Sequence, residues 1–403
     1  MILPTYPLQI RLQIVCFLLG IFCPGQTVAE DMSFPDANDT AGIAHLDRGV
    51  MLMFQGETEA AISQLEKAAE LGPNRHETQY YLAMGYAETK LWNSTIDATT
   101  KSLSIATDDI ESFYLQAKAY FNLGEWVIAE SKLKRVIQQD PLHARALKVR
   151  GQTQLKQRQF ARATQSLLKA SELNPFSTVI QYYLGMSYLN RKMYQQAVTQ
   201  FEESIQLAPG YAQPYHGLGT AFLRLGEREK GQSAMAEFQR LQKSSAEYER
   251  LSRLTQVDPD NVEAWTDLAH VSMESFNYQL AIKIFRRCLQ YEPQNVAHHL
   301  GLSRAFISLD QPVPARQALF RAIEISPNEP ILYNTLGSTY AMQGEVAKAI
   351  GSFQRAAELD PAQPYYHLNL ARLYQQIGEQ SLMQQHYLTY EKLLAEQTKE
   401  GSE

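Results

Sequence analysis

The 403-residue chain is poor in several things that define other protein classes. Cysteine occurs only three times, at Cys16, Cys23 and Cys288, too sparsely for a disulfide framework. No stretch alternates apolar and polar residues over the length of a strand, which excludes a sheet-based fold. There is no low-complexity tract and no long run of one charge. Lys and Arg number 37 against 43 Asp and Glu, a net charge of −6, so bulk charge does not favour nucleic acid as a partner. The histidines never take His-Glu-x-x-His spacing, and adjacent His298 and His299 would point about 100° apart on a helix. Glycine-rich phosphate loops and nucleophile-elbow sequences are missing. The close acid pairs, Asp108-Asp109 and Glu202-Glu203, read as a turn and a solvated helix face. No catalytic residue, metal or cofactor is expected.

What the chain does have is a period. Pro330 to Gln363 reads as two short helices joined at Gly344, each with an apolar stripe that it cannot bury alone. The unit recurs every 34 residues, starting at Gly42, His76, Ile110, Ala144, Thr178, Ala212, Val262, Val296, Pro330 and Pro364. Three columns hold the register. Position 8 is always small: Gly49, Ala83, Ala117, Gly151, Gly185, Gly219, Ala269, Ser303, Gly337 and Ala371. Position 20 is nearly always small, from Ala61 to Ala349, with Met383 in the last unit. Position 32 is proline in seven units, among them Pro73, Pro141, Pro175 and Pro209, where it stops the second helix. Small residues at position 8 imply two helix backbones in close approach, where a larger side chain would overpack by about 1–3 kcal/mol.

With an aromatic at position 11 (Tyr86, Tyr120, Tyr188, Phe222, Phe306, Tyr340, Tyr374) and Trp265 at position 4 of unit seven, the pattern resembles the tetratricopeptide-repeat (TPR) family. The resemblance implies an all-α fold, an α-solenoid of about ten helix hairpins in a right-handed superhelix. It also implies a scaffold that binds protein segments in a concave groove lined by the first helix of each unit. Two subtypes of the family are not matched. The Lys/Asn set of a carboxylate clamp is absent, and so is a ladder of Asn at position 6.

Position 27 departs from the pattern. It is small or modest in eight units but aromatic at Phe238 and Tyr390, in the two units that lack proline at position 32. This predicts a break between repeats six and seven, with six repeats over residues 42–242 and four over residues 262–397. The connection, residues 243–261, reads as its own helix. Ser244-Ser245-Ala246-Glu247 forms a capping box and Asp258-Pro259-Asp260-Asn261 a stop. An over-long second helix of repeat six is the competing reading.

Arg11, the apolar run Ile14 to Cys23, the Pro24-Gly25 break and Thr27-Val28-Ala29 follow the order of a secretory signal. Residues 1–29 are therefore expected to be a leader cut after Ala29, residues 30–41 a linker and residues 398–403 a disordered tail. The protein is expected to be exported, to the periplasm or cell exterior, or to the ER lumen in a eukaryote, with a membrane as partner only if the leader stays uncut. Cys288, at position 27, reads as a small buried residue. With no second domain to carry catalysis, the chain is not expected to be an enzyme.

The groove positions, 2, 5, 9, 12 and 13 of each unit, supply the candidate site. Tyr80, Met84, Tyr114, Phe121, Tyr182 and Met186 form an apolar floor beside Lys118, Arg145 and Lys148. Such a surface suits a polypeptide segment with apolar anchors and acidic residues. In unit one the same positions are all apolar (Ile43, Leu46, Val50, Met53, Phe54), which raises self-association into a homo-oligomer as an alternative. The leading expectation is a non-enzymatic adaptor for an exported or envelope complex. A regulatory subunit of a separate enzyme of polysaccharide or envelope biogenesis is a further alternative.

Overall fold

The computed structural model describes residues 37–72 and 74–400. The expected leader and most of the linker lie outside them. The described residues form twenty α-helices and no strand. The first three repeats are α1 (Ala37–Gln55) with α2 (Thr58–Leu71), α3 (His76–Glu88) with α4 (Trp92–Ile105), and α5 (Ile110–Asn122) with α6 (Trp126–Gln139). The next three are α7 (Ala144–Lys156) with α8 (Phe160–Leu173), α9 (Thr178–Asn190) with α10 (Tyr194–Leu207), and α11 (Ala212–Leu225) with α12 (Arg228–Val257). The last four are α13 (Val262–Glu274) with α14 (Tyr278–Tyr291), α15 (Val296–Ser308) with α16 (Pro312–Ile325), α17 (Pro330–Met342) with α18 (Val346–Leu359), and α19 (Pro364–Gln376) with α20 (Gln380–Glu400).

From repeat two onward every first helix begins at the residue where the sequence register starts its unit. The ends of the array differ from expectation. α1 starts at Ala37, inside the expected linker, and α20 runs to Glu400, into the expected tail. Neither stretch contains a proline to stop a helix, the nearest being Pro35.

The chain divides into two compact units between Pro141 and Leu142, the first holding repeats one to three and the second repeats four to ten. Inside each unit a second helix packs against the first helix of its own repeat and that of the next. First helices also touch one another, α1 with α3 and α3 with α5 in the first unit, and α7 with α9, α9 with α11, α13 with α15 and α15 with α17 in the second.

The hairpin contact explains the column of small residues. A Cβ added at Gly49 would sit 2.6 Å from Leu65 Cγ, at Gly151 2.4 Å from Leu167 Cγ, and at Gly185 2.7 Å from the Phe201 ring. Position 8 of the first helix thus seats the large side chain at position 24 of the second. Leu65, Leu167 and Phe201 are fully buried there. The turn between the two helices imposes a second constraint. Position 15 takes positive φ in all ten repeats. Five are glycine (Gly56, Gly124, Gly226, Gly344, Gly378) and five are Lys90, Arg158, Lys192, Phe276 and Asp310. A side chain in the left-handed region costs about 1 kcal/mol, so half of the turns carry strain that glycine would relieve.

The connection between repeats six and seven is not a separate helix. α12 runs unbroken for 30 residues, and Ser244 is buried inside it. No Gly or Pro interrupts Gln232 to Val257, so nothing local stops the helix. Ser244 Oγ does not cap; it donates to the Glu274 carboxylate at 3.2 Å. α12 consequently belongs to two cores. Ala234 joins Phe201, Leu218 and Phe222 of repeats five and six. Leu251 joins Leu268, Phe285 and Phe306 of repeats seven and eight. The end of α13 meets the loop that precedes repeat six. Arg240 Nη1 donates to the Glu274 carbonyl at 3.1 Å, and a Cβ on Gly210 would fall 2.4 Å from the Ser275 carbonyl oxygen. The long helix α12 thus links repeats six and seven within one compact unit, whereas the division of the chain falls between repeats three and four.

Two glycines of opposite character test the packing. Gly151→Val should lower stability to denaturant by about 1–3 kcal/mol, since Leu167 fills the space. Gly351→Ala, in α18 with nothing within 4 Å, should raise it by about 0.5–1 kcal/mol through helix propensity. Equal effects in urea titrations of the two variants would refute the assignment of position 8 as a contact point.

Candidate peptide-binding groove

The nine residues picked from the sequence divide between the two units. In the first, Tyr80 and Met84 on α3 and Lys118 and Phe121 on α5 are half-buried. Tyr80 lies edge-on to Tyr81 at 5.3 Å and stacks on His76 at 6.3 Å. Tyr114 is buried, with only 6% of its surface exposed, and has little area left for a ligand. Of the apolar set on α1, Phe54 and Ile43 are exposed, while Leu46, Val50 and Met53 are half-buried.

In the second unit α7 carries Arg145, exposed, and Lys148, half-buried; α9 carries Tyr182 and Met186. Tyr182 is wedged edge-on against Tyr183 at 4.9 Å and Tyr211 at 5.5 Å, with Phe201 beneath at 6.1 Å. Met186 packs on the same core. These two side chains are thus partly structural, with their outer surfaces left to the groove wall. Sequence reasoning missed Tyr183 and Tyr211. Burial raises the pKa of the Tyr183 hydroxyl. Burial, and then the neighbouring Tyr182 and Tyr183, push the Tyr211 hydroxyl up to about 12. All three phenols therefore stay protonated and can donate hydrogen bonds. The Tyr182-Tyr183 doublet in the sequence was the available signal.

A second feature escaped the sequence reading. The side chain at position 4 donates to the carbonyl of the proline six residues earlier. Gln181 does so to Pro175 at 2.9 Å, Tyr215 to Pro209 at 3.1 Å, Trp265 to Pro259 at 2.9 Å and Tyr333 to Pro327 at 2.9 Å. His299 makes the same contact with Pro293 at 3.0 Å. Each satisfies a carbonyl in the turn just beyond a helix C-cap. Chemically different residues do one job, which hides the column from inspection of residue types.

No three His, Cys, Asp or Glu side chains are grouped to hold a metal among the described residues, and no described helix is long and apolar enough to cross a membrane. Cys288 is 1% exposed within the core of repeats seven and eight, and burial raises its thiol pKa, which disfavours the reactive thiolate. Three histidines of the second unit are held neutral. Burial lowers the pKa of His298, which lies 2.8 Å from Thr266 Oγ1. His367 and His386 face each other across α19 and α20 with their Nδ1 atoms 3.0 Å apart, and burial lowers both. One ring donates and the other accepts, while Tyr374 stacks on His386 at 5.5 Å.

Family models described as tetratricopeptide repeat match residues 114–178, 179–211 and 272–337, and one described as TPR repeat matches residues 337–378. The chain belongs to the tetratricopeptide-repeat family. Among curated relatives, mitochondrial import receptor subunit TOM70 of Mus musculus is 22% identical over 301 residues, 72% of this chain and 47% of that protein. Tetratricopeptide repeat protein 37 of Xenopus laevis is 24% identical over 287 residues, 69% of this chain and 17% of that protein. The chain thus spans half or less of the length of these relatives. Among solved structures, Pseudomonas aeruginosa pilF is 17% identical, covering 57% of this chain and 97% of that one, with a TM-score of 0.43. YrrB, titled a TPR protein with an unusual peptide-binding site, is 18% identical, covering 45% and 97%, with a TM-score of 0.39.

The buried His298 and the half-buried His367 and His386 set a pH dependence. Their folded pKa values lie below the unfolded value of about 6.5. The unfolded chain therefore binds more protons, and stability falls as pH drops below about 6.5 through the folded values. Thermal melts between pH 7.5 and 5 should show this loss. His386→Phe, which keeps a ring against Tyr374, should show less of it. Parallel pH profiles for the two proteins would contradict the reading.

Proposed function

We propose that the chain is a non-enzymatic scaffold that holds an acidic polypeptide segment along the first helices of repeats four and five. The observation that carries this reading is the nearness of Arg145 and Lys148 on α7 to Tyr182 and Tyr183 on α9, two helices that touch, with Tyr211 at the start of α11 against Tyr182. Phenols present flat apolar faces and donor hydroxyls together. The cations add attraction for carboxylates and speed encounter. A repeat relative named as an import receptor agrees with polypeptide as the ligand class.

Peptide display on the full chain tests this. Wild type should enrich sequences with acidic residues beside an apolar anchor, and the Arg145→Glu, Lys148→Glu double variant should lose about tenfold or more in affinity for them. Equal affinity in the two proteins would remove this groove from the reading.

The setting we infer is an exported complex, on the strength of the Arg11, Ile14–Cys23 and Ala29 sequence order. The secreted or periplasmic form should then begin at Glu30 by intact-mass measurement. A full-length chain confined to the cytosol would overturn export and leave the groove reading standing.

A further inference from the structure

Position 25 of one repeat lies against the aromatic residue at position 11 of the next, and this junction is closed in different ways along the chain. Between repeats one and two the Tyr86 hydroxyl donates to Glu66 at 2.8 Å. Between repeats nine and ten Gln354 donates to the Tyr374 hydroxyl oxygen at 3.1 Å. In both, a polar side chain spends its hydrogen-bonding capacity on the ring's own hydroxyl. Between repeats seven and eight the corresponding residues are Arg286 and Phe306. The guanidinium lies 5.5 Å from the ring centroid. A phenyl ring offers no oxygen, and Arg286 has no hydrogen bond or ion pair among the described residues. Its donor fork remains unspent above an apolar floor.

A pocket of about 560 Å³ opens beside it, a volume within the range of small-molecule sites. Leu289, Leu302, Phe306 and Phe320 supply apolar walls, and Ala318 leaves the space a larger residue would fill. The other charged groups at the rim are already engaged. Arg321 is paired with Glu324 at 2.9 Å, and His299 is bonded to the Pro293 carbonyl. The one uncommitted charge facing the pocket is positive. The pocket lies between the second helices α14 and α16, whereas the groove is assigned to the first helices of other repeats, so it is independent of the groove reading.

We propose that this pocket binds a small carboxylate with an aromatic or aliphatic body. The carboxylate accepts two parallel N–H bonds from Arg286, the planar arrangement that guanidinium favours. The body covers Leu289 and the exposed Phe320 ring, removing apolar surface from water, above a floor that includes the buried Leu302. An amphipathic anion satisfies both needs; a neutral apolar molecule would leave the guanidinium desolvated without a partner.

The test uses the full chain with isotope-labelled leucine methyl groups, 4-phenylbutyrate as the probe and 4-phenylbutyramide as its neutral counterpart. The acid should give saturable shifts at Leu289 and Leu302, with the amide about tenfold weaker, a difference of about 1.4 kcal/mol. Arg286→Gln, at an exposed position, should reduce the acid to the affinity of the amide while the free methyl spectrum is retained. Ala318→Leu should weaken both ligands by filling the pocket. Equal binding of acid and amide, an unchanged affinity in Arg286→Gln, or no saturable shift at these leucines would each overturn the proposal.

Discussion

The fold depends on one repeated contact, a small residue on the first helix receiving a large side chain from the second. At Gly151 the Leu167 side chain occupies the place a Cβ would take, and at Gly185 and Gly337 a phenylalanine does the same. Backbones in such close approach bury Leu, Phe and Ala side chains completely although each layer is only one helix thick. A hairpin closed in this way still has two apolar flanks, and only another hairpin can cover them. The length of the array follows from that need rather than from any one globular core.

Repeat six shows what happens when the stacking rule is relaxed locally. Phe238 takes the position where eight of the other repeats place small or modest residues, and its ring lies 5.1 Å from His216 of its own hairpin. No proline ends the helix, so α12 continues and offers Leu251 as a new anchor for repeat seven. Arg240, Ser244 and Gly210 then fix the start of the next stack through the end of α13. The Glu274 carbonyl, left over at that helix end, gains the Arg240 guanidinium as partner.

The same economy governs the surface. Where a junction residue and its neighbour satisfy each other, as Glu66 and Tyr86 do, the surface is closed. Where they do not, as with Arg286 and Phe306, donor capacity and space remain together. On the first-helix side, Tyr182 is divided between the core and the surface, and its ring is already held in place by packing against Phe201 and Tyr211. Rings fixed beforehand lose little freedom when a ligand arrives.

The sequence by itself determined the period, the helix starts and the column of small residues, because each is set by contacts within a single hairpin. It also placed Cys288 in the core, since a repeat position carries its burial with it. The tertiary structure decided what depends on more than one hairpin. Ser244 and Ser245 look like a helix cap, yet a serine inside a helix is equally stable when its hydroxyl finds an acceptor, and only the position of Glu274 supplies one. Tyr114 and Tyr182 occupy equivalent positions in the register, but one is buried and the other half-exposed. Register fixes the direction of a side chain; the neighbours it meets there are fixed only when the hairpins have stacked.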